Sequence, residues 1–251
     1  MSGHSKWSTI KRKKAANDAK RGAIFTRLAR EIAIAAREGG GDLEVNFGLR
    51  LAVDKAKTQN MPKDNIERAI RRGTGEDKDG AALEQIMYEG YAPYGVALLI
   101  DVVTDNRNRT VAATRHLLSK YGGSMADAGS VSWQFTRAAY FFLSDDDLNS
   151  DAIFELAVDA GADDVIISEG DAEIIAPVDR FKVISDTLRE AGYSPDEAQV
   201  RMLPNAEVEL DHEQTLKVMR VIEELEDLDD VQNVFSNLSV SEEAVAMLET
   251  A

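Results

Sequence analysis

The order of segments between residues 139 and 203 constrains the fold more than any other feature of the chain. Residues 139–144 read as a strand, 150–160 as a helix, 164–168 and 171–176 as strands, 180–191 as a helix and 198–203 as a strand. The succession β-α-β-β-α-β within roughly seventy residues is that of the ferredoxin-like unit. Gly170-Asp171 supplies the tight turn between its two middle strands.

The segments on either side of this unit lack partners of their own. Before it, residues 84–91 and 96–103 read as strands around Ala92-Pro93-Tyr94-Gly95. A polar loop, Thr104-Asp105-Asn106-Arg107-Asn108-Arg109-Thr110, leads to a helix anchored by Val111, Leu117 and Leu118, and residues 131–135 read as one more strand. After Pro204 come a strand near 207–210, a helix near 213–226 and a strand near 231–235. These trailing elements are too few for a domain. The economical arrangement joins them to residues 80–136, with 137–203 inserted; the alternative is a string of consecutive independent domains.

The first eighty residues have a different texture. Ile24, Leu28, Ile32 and Ala35 recur at helical spacing, widened by Phe25 and Ala36, and Gly39-Gly40-Gly41 ends that helix. Arg21, Arg27, Arg30 and Arg37 lie around the stripe as a basic rim, a plain solvated face accounting for one or two of them. Asn46 is placed to cap a second helix with Leu49, Val53 and Ala56 on its apolar face. Pro62 and Asp64 open a third, which carries Ile66, Ala69 and Ile70 and is stopped by Gly73 and Gly75; Arg71 and Arg72 suit its C-terminal dipole. The expected class is therefore α+β: a basic three-helix N-terminal domain (1–79), a discontinuous α/β domain (80–136 and 204–251), and a third, ferredoxin-like domain inserted in the second (137–203).

Charge divides the chain along the same line. The whole carries a formal charge of -16, yet residues 1–75 hold 17 Lys/Arg against 8 Asp/Glu, leaving 12 against 37 for the remainder. The cations are densest at the start, where Lys6, Trp7, Lys11, Arg12, Lys13, Lys14, Lys20 and Arg21 fall within one short stretch. Four consecutive cations repel one another and gain nothing from folding alone, so an anionic partner accounts for them best. A tryptophan among small residues suits a polyanion with stackable bases better than a membrane surface. Arg107 and Arg109, with Asn106 and Asn108, form a second array of donors for phosphate and base edges at a helix start. A purely local account of that loop stays open, in which Asp105 and Asn106 cap the helix and the arginines pair with nearby carboxylates.

Other chemistries are poorly served. Without cysteine there is no disulfide, zinc finger, iron–sulfur cluster or thiol nucleophile. No apolar run approaches the ~20 residues of a membrane span. His4, His116 and His212 are too scattered for metal-ligand spacing, and no phosphate-loop, dinucleotide or nucleophile-elbow motif occurs. Asp145-Asp146-Asp147 is explained by a helix N-terminus that favours acidic residues rather than by a metal. The acidic run from Glu223 to Asp230 reads as a solvated face, or else as a docking patch for a basic protein. Neither a cofactor nor a small-molecule substrate is expected, and the cytoplasm is the expected compartment.

Several stretches resemble a known family. Gly3-His4-Ser5-Lys6-Trp7, Lys14-Ala15-Ala16, Asp18-Ala19-Lys20-Arg21-Gly22, Gly39-Gly40-Gly41-Asp42, Ala52-Val53-Asp54-Lys55-Ala56, Glu89-Gly90-Tyr91 and Asp105-Asn106-Arg107-Asn108-Arg109-Thr110 are similar to the YebC/PmpR family nearly end to end. The resemblance implies a helical first domain and two α/β domains, the third ferredoxin-like. It implies a regulator of gene expression in the cytosol of bacteria, with mitochondrial relatives that activate translation of cytochrome c oxidase. Members are described either as DNA-binding transcriptional regulators or as ribosome-associated translation factors, and the family brings no catalytic residues.

Three functions follow as expectations. The first is a ribosome-associated translation factor that contacts ribosomal RNA and ribosomal proteins. The alternative is a DNA-binding transcriptional regulator acting at promoters. A metal-dependent nuclease is the least supported, because no His or Lys stands with paired carboxylates.

Overall fold

A computed structural model describes residues 18–77, 83–145, 148–168 and 170–240. Its first three helices are α1 (Asp18–Gly39), α2 (Phe47–Thr58) and α3 (Lys63–Thr74). Leu28, Ile32 and Ala36 of α1 meet Leu49, Ala52, Val53 and Ala56 of α2 and Ile66 and Ala69 of α3 in one buried cluster. Each large aliphatic side chain removed from water there contributes about 1.5–3 kcal/mol.

Asn46 organises the junction. Its Oδ1 accepts from the Leu49 amide at 3.0 Å, capping α2. Its Nδ2 donates to the carbonyls of Ala35 and Gly40 at 2.8 and 2.7 Å, satisfying acceptors freed at the end of α1. Gly73 departs from expectation: it lies inside α3 rather than ending it. A Cβ there would stand 2.3 Å from the Ala33 carbonyl oxygen, so the glycine is what lets α3 approach α1. Gly75, in the left-handed region at φ 78°, is the cap.

The first sheet has β1 (Glu84–Tyr91), β2 (Ala97–Thr104), β3 (Ser124–Ala126) and β8 (Val231–Ser236) in the order β3-β1-β2-β8. β1 and β2 pair antiparallel from Glu84↔Thr104 to Tyr91↔Ala97. All eight residues of β2 are buried, which explains its nearly unbroken apolar run. Val103 packs with Ala33 and Ile34 of α1 and with Leu83. Glu89, buried in β1, accepts from the amides of Gly129 and Val131 at 2.7 and 2.6 Å and so ties down the loop after β3. Helices α4 (Arg107–Lys120) and α7 (His212–Glu226) complete this part.

The second sheet runs β5 (Asp164–Ser168), β6 (Asp171–Ala176), β4 (Phe135–Ser144), β7 (Glu197–Pro204), all pairs antiparallel. With α5 (Ser150–Asp159) and α6 (Phe181–Glu190) in sequence between the strands, it has the ferredoxin-like order. Phe141 stacks on Phe181 at 4.8 Å between ring centroids, and Ile153, Ile184 and Leu188 of the two helices are buried. Ser132–Leu210 lie in one compact unit, and Asp211–Val234 fall with the helical region and the first sheet in another.

Three expected boundaries shift. The strand expected at 131–135 is a short 3-10 turn at Ser132–Gln134 leading into a single long β4. The strand expected at 207–210 is reduced to a bridge between Val208 and Leu238. The polar loop 104–110 is largely helix, since Arg107 to Thr110 form the first turn of α4.

Candidate nucleic-acid interface

Lys6, Trp7, Lys11, Arg12, Lys13 and Lys14 lie outside the described residues. Lys20 and Arg21 belong to the first turn of α1.

Asn106 caps α4, its side chain accepting from the Arg109 amide at 3.1 Å. Just past that cap, Arg107 and Arg109 have different surroundings. Arg107 is exposed, with 65% of its side chain accessible and Glu84 at 3.7 Å. Arg109 is engaged. Its Nη2 lies 3.0 and 2.8 Å from the two carboxylate oxygens of Asp230 and 3.0 Å from Asp105. Its Nε is 3.3 Å from Asp230 as well. The hydrogen bond to Asp230, followed by that to Asp105, raises the guanidinium above its ordinary pKa. Arg109 thus pairs with the local carboxylate of Asp105 and, more extensively, with Asp230 far along the chain.

Asp230 gathers more than one arginine. Arg30 of α1 reaches its Oδ1 at 2.8 Å, and Arg30 also donates to the Asp229 carbonyl. Thr110 and Thr104 donate to its Oδ2 at 2.6 and 3.3 Å. Burial, with 9% of the side chain exposed, pushes this carboxyl upward. The hydrogen bonds from Thr110 and Arg109 and the charges of Arg30 and Arg109 outweigh burial and hold it below the ordinary carboxylate value. Arg27 stands near Asp227 and Asp229. Burial lowers its pKa, and those two carboxylates oppose the shift.

This corrects the sequence reading at two places. The face of α1 bearing Arg27, Arg30 and Arg37 is not a solvated rim. Two of these arginines meet the 227–230 loop, and Arg37 donates to the Leu83 carbonyl. The acidic run is likewise not wholly solvated. Asp230 is buried, and Glu224 accepts from Lys120 at 3.1 Å and from Tyr121.

Exposed cations lie elsewhere. Arg68, Arg71 and Arg72 share the face of α3 opposite Ile66, Ala69 and Gly73, and Arg115 is exposed on α4. The sequence carries this signal in the three- and four-residue spacing of those arginines away from the apolar positions, a signal beyond the helix-dipole role of Arg71 and Arg72. Among the described residues no group of three His, Asp or Glu could hold a metal, and no helix is long and apolar enough to cross a membrane. His116 is exposed on α4, and His212 opens α7.

Comparison with known proteins agrees with the fold. Residues 5–76 match the TACO1/YebC protein N-terminal domain, and residues 83–238 match the TACO1/YebC second and third domain. A probable transcriptional regulatory protein of Syntrophotalea carbinolica is 50% identical over 99% of both chains. One from Acidithiobacillus ferrooxidans is 52% identical, again over 99% of each. The crystal structure of a conserved hypothetical protein from Aquifex aeolicus superposes with a TM-score of 0.82 at 39% identity, covering 90% of this chain and 93% of that one. With both family models matched in order and relatives aligned over almost the full length, the chain belongs to the TACO1/YebC family.

Proposed function

We propose that this protein is a non-enzymatic, nucleic-acid-binding regulator of gene expression that acts in the cytoplasm as a ribosome-associated translation factor. The observation that carries the proposal is the charge division: an excess of cations in residues 1–75 on a chain of net charge -16. A polyanion is attracted by the first part and repelled by the rest, which orients the protein on its target. In this reading Lys6, Trp7, Lys11, Arg12, Lys13, Lys14, Lys20 and Arg21 contact the nucleic acid, with Arg107 as a separate exposed cation. Acidic surface is a liability against a uniform duplex. It is tolerable beside a ribosome, which offers basic protein as well as RNA.

The second reading, a transcriptional regulator at promoters, is favoured by the relatives' names. Against it, no short recognition helix of the kind that enters a major groove stands out in the sequence. Gradient sedimentation of cell lysate at moderate salt separates the two. Co-migration with ribosomes is expected. Protein at the top of the gradient together with tight, sequence-selective promoter binding in gel shifts would establish the transcriptional role instead.

A further inference from the structure

Four side chains converge on one carboxylate. Arg30 comes from α1, Arg109 and Thr110 from the first turn of α4, Thr104 from the end of β2, and all four meet Asp230. The set combines two guanidinium groups and two hydroxyls at the start of a 14-residue helix. These are the donors that bind a phosphate: planar forks, short hydroxyl contacts and the positive end of a helix dipole. Asp230 occupies the place of the anion. It arrives on a short acidic connection between α7 and β8, within Glu226-Asp227-Leu228-Asp229-Asp230-Val231.

We infer that Arg30, Arg109, Thr104 and Thr110 form a binding site for a nucleic-acid phosphodiester, held closed by the Asp230 carboxylate until a strand displaces it. The inference rests on the nucleic-acid-binding function proposed above and gives that function a second, gated contact.

Exchange of one anion for another explains how a buried cluster can open. Removing the carboxylate alone would strand the largely buried Arg30 and take from Arg109 its main partner, whereas replacing it with a phosphate keeps every donor satisfied. One neighbour is already under-satisfied: Arg27 Nε is buried without a hydrogen-bond partner. The backbone of the connection makes identifiable hydrogen bonds. Leu228 and Val231 donate their amides to Leu225 and Leu228 at 3.1 and 3.0 Å, and the Asp230 carbonyl accepts from the Val103 amide at 2.8 Å. Those three amides report on whether the connection has moved.

The test uses the full-length protein and a fluorescein-labelled single-stranded RNA, with a duplex DNA of the same length as the second arm. Asp230→Asn removes the competing charge while keeping the shape. Binding by anisotropy should tighten on the order of tenfold. Its salt dependence should steepen by about 1.4 in the log–log slope, from two further cations meeting phosphates. Glu213→Gln changes net charge equally at an exposed site and should leave affinity unchanged. Arg30→Gln with Arg109→Gln should erase the gain in the Asp230→Asn background. In the wild type, saturating RNA should accelerate hydrogen exchange at Val103, Leu228 and Val231, a readout that needs no variant to fold. If wild type binds but Asp230→Asn gains no more than Glu213→Gln, or if those amides keep their protection, the gate is refuted and the general function stands. If neither wild type nor Asp230→Asn binds either nucleic acid, the function itself fails, and the gate with it.

Discussion

Arg30 Nη2 and Asp230 Oδ1 meet at 2.8 Å, joining the first helix to the connection before the last strand. The contact binds sequence ends that have no local reason to associate. It also decides what the arginines of α1 can do, since a guanidinium held by a buried carboxylate is withdrawn from solvent.

The two buried aspartates of this part should respond to acid in opposite senses. Asp230 titrates below its ordinary value of 3.8, so its contribution is full above that value and lost as pH falls through the lower, folded one. Asp101 is raised above 3.8, chiefly by burial, although Gln85 and Asn233 donate to it at 3.0 and 3.4 Å. The folded form therefore holds the Asp101 proton more tightly than the unfolded form does. Stability should decline as pH rises from 3.8 through the raised value. Urea melts across acidic pH would show it. Asp101→Asn should lose the decline in that window, and Asp230→Asn should lose the drop below 3.8. At neutral pH Asp230→Ala should cost about 3 kcal/mol, because it leaves Arg30 and two hydroxyls without their acceptor. Equal acid profiles for wild type and both amide variants would contradict the assignment.

Gly73→Ala offers a sharper test of packing. Helix propensity alone predicts a gain of about 1 kcal/mol from this change. The new methyl would instead lie 2.3 Å from the Ala33 carbonyl oxygen and 2.7 Å from the Ala36 Cβ, forcing α3 away from α1. A net loss of about 1–3 kcal/mol is expected in chemical denaturation. A stabilised variant would show that the two helices are not held this close.

What could be read from the sequence depended on the range of the interaction responsible. Asn46 as a cap, the Gly39 terminus and the β-α-β-β-α-β order were legible because each is written in neighbouring residues. The apolar run of β2 announced a strand for the same reason. Arg30 and Arg109 were not legible in this way. Their partner Asp230 is distant in the chain, and a carboxylate in an acidic run looks like solvated charge until the fold brings it to α4. Gly73 misled because a glycine near a helix end signals a stop, whereas the approach of α1 is a tertiary fact. Asn106 was legible as a cap, but the polar character of Arg107 to Thr110 made the helix seem to start after them.

The basic tail and Arg107 should separate binding from folding. Lys11, Arg12, Lys13 and Lys14 are to be changed together to Glu. Four adjacent like charges gain nothing from one another on folding, so the melting temperature should hold. Co-sedimentation with ribosomes should be abolished, and wild-type binding should weaken steeply with added salt through loss of the counterion-release term. Arg107→Ala is the cleaner substitution at α4, because the side chain is 65% exposed and its nearest carboxylate, on Glu84, is 3.7 Å away. It should weaken ribosome binding without moving the melting temperature. Arg109→Ala would disturb both, since it also releases Asp230. Ribosome association that survives the tail reversal and raised salt would mean that the cations of the first module are not what holds the protein to its target.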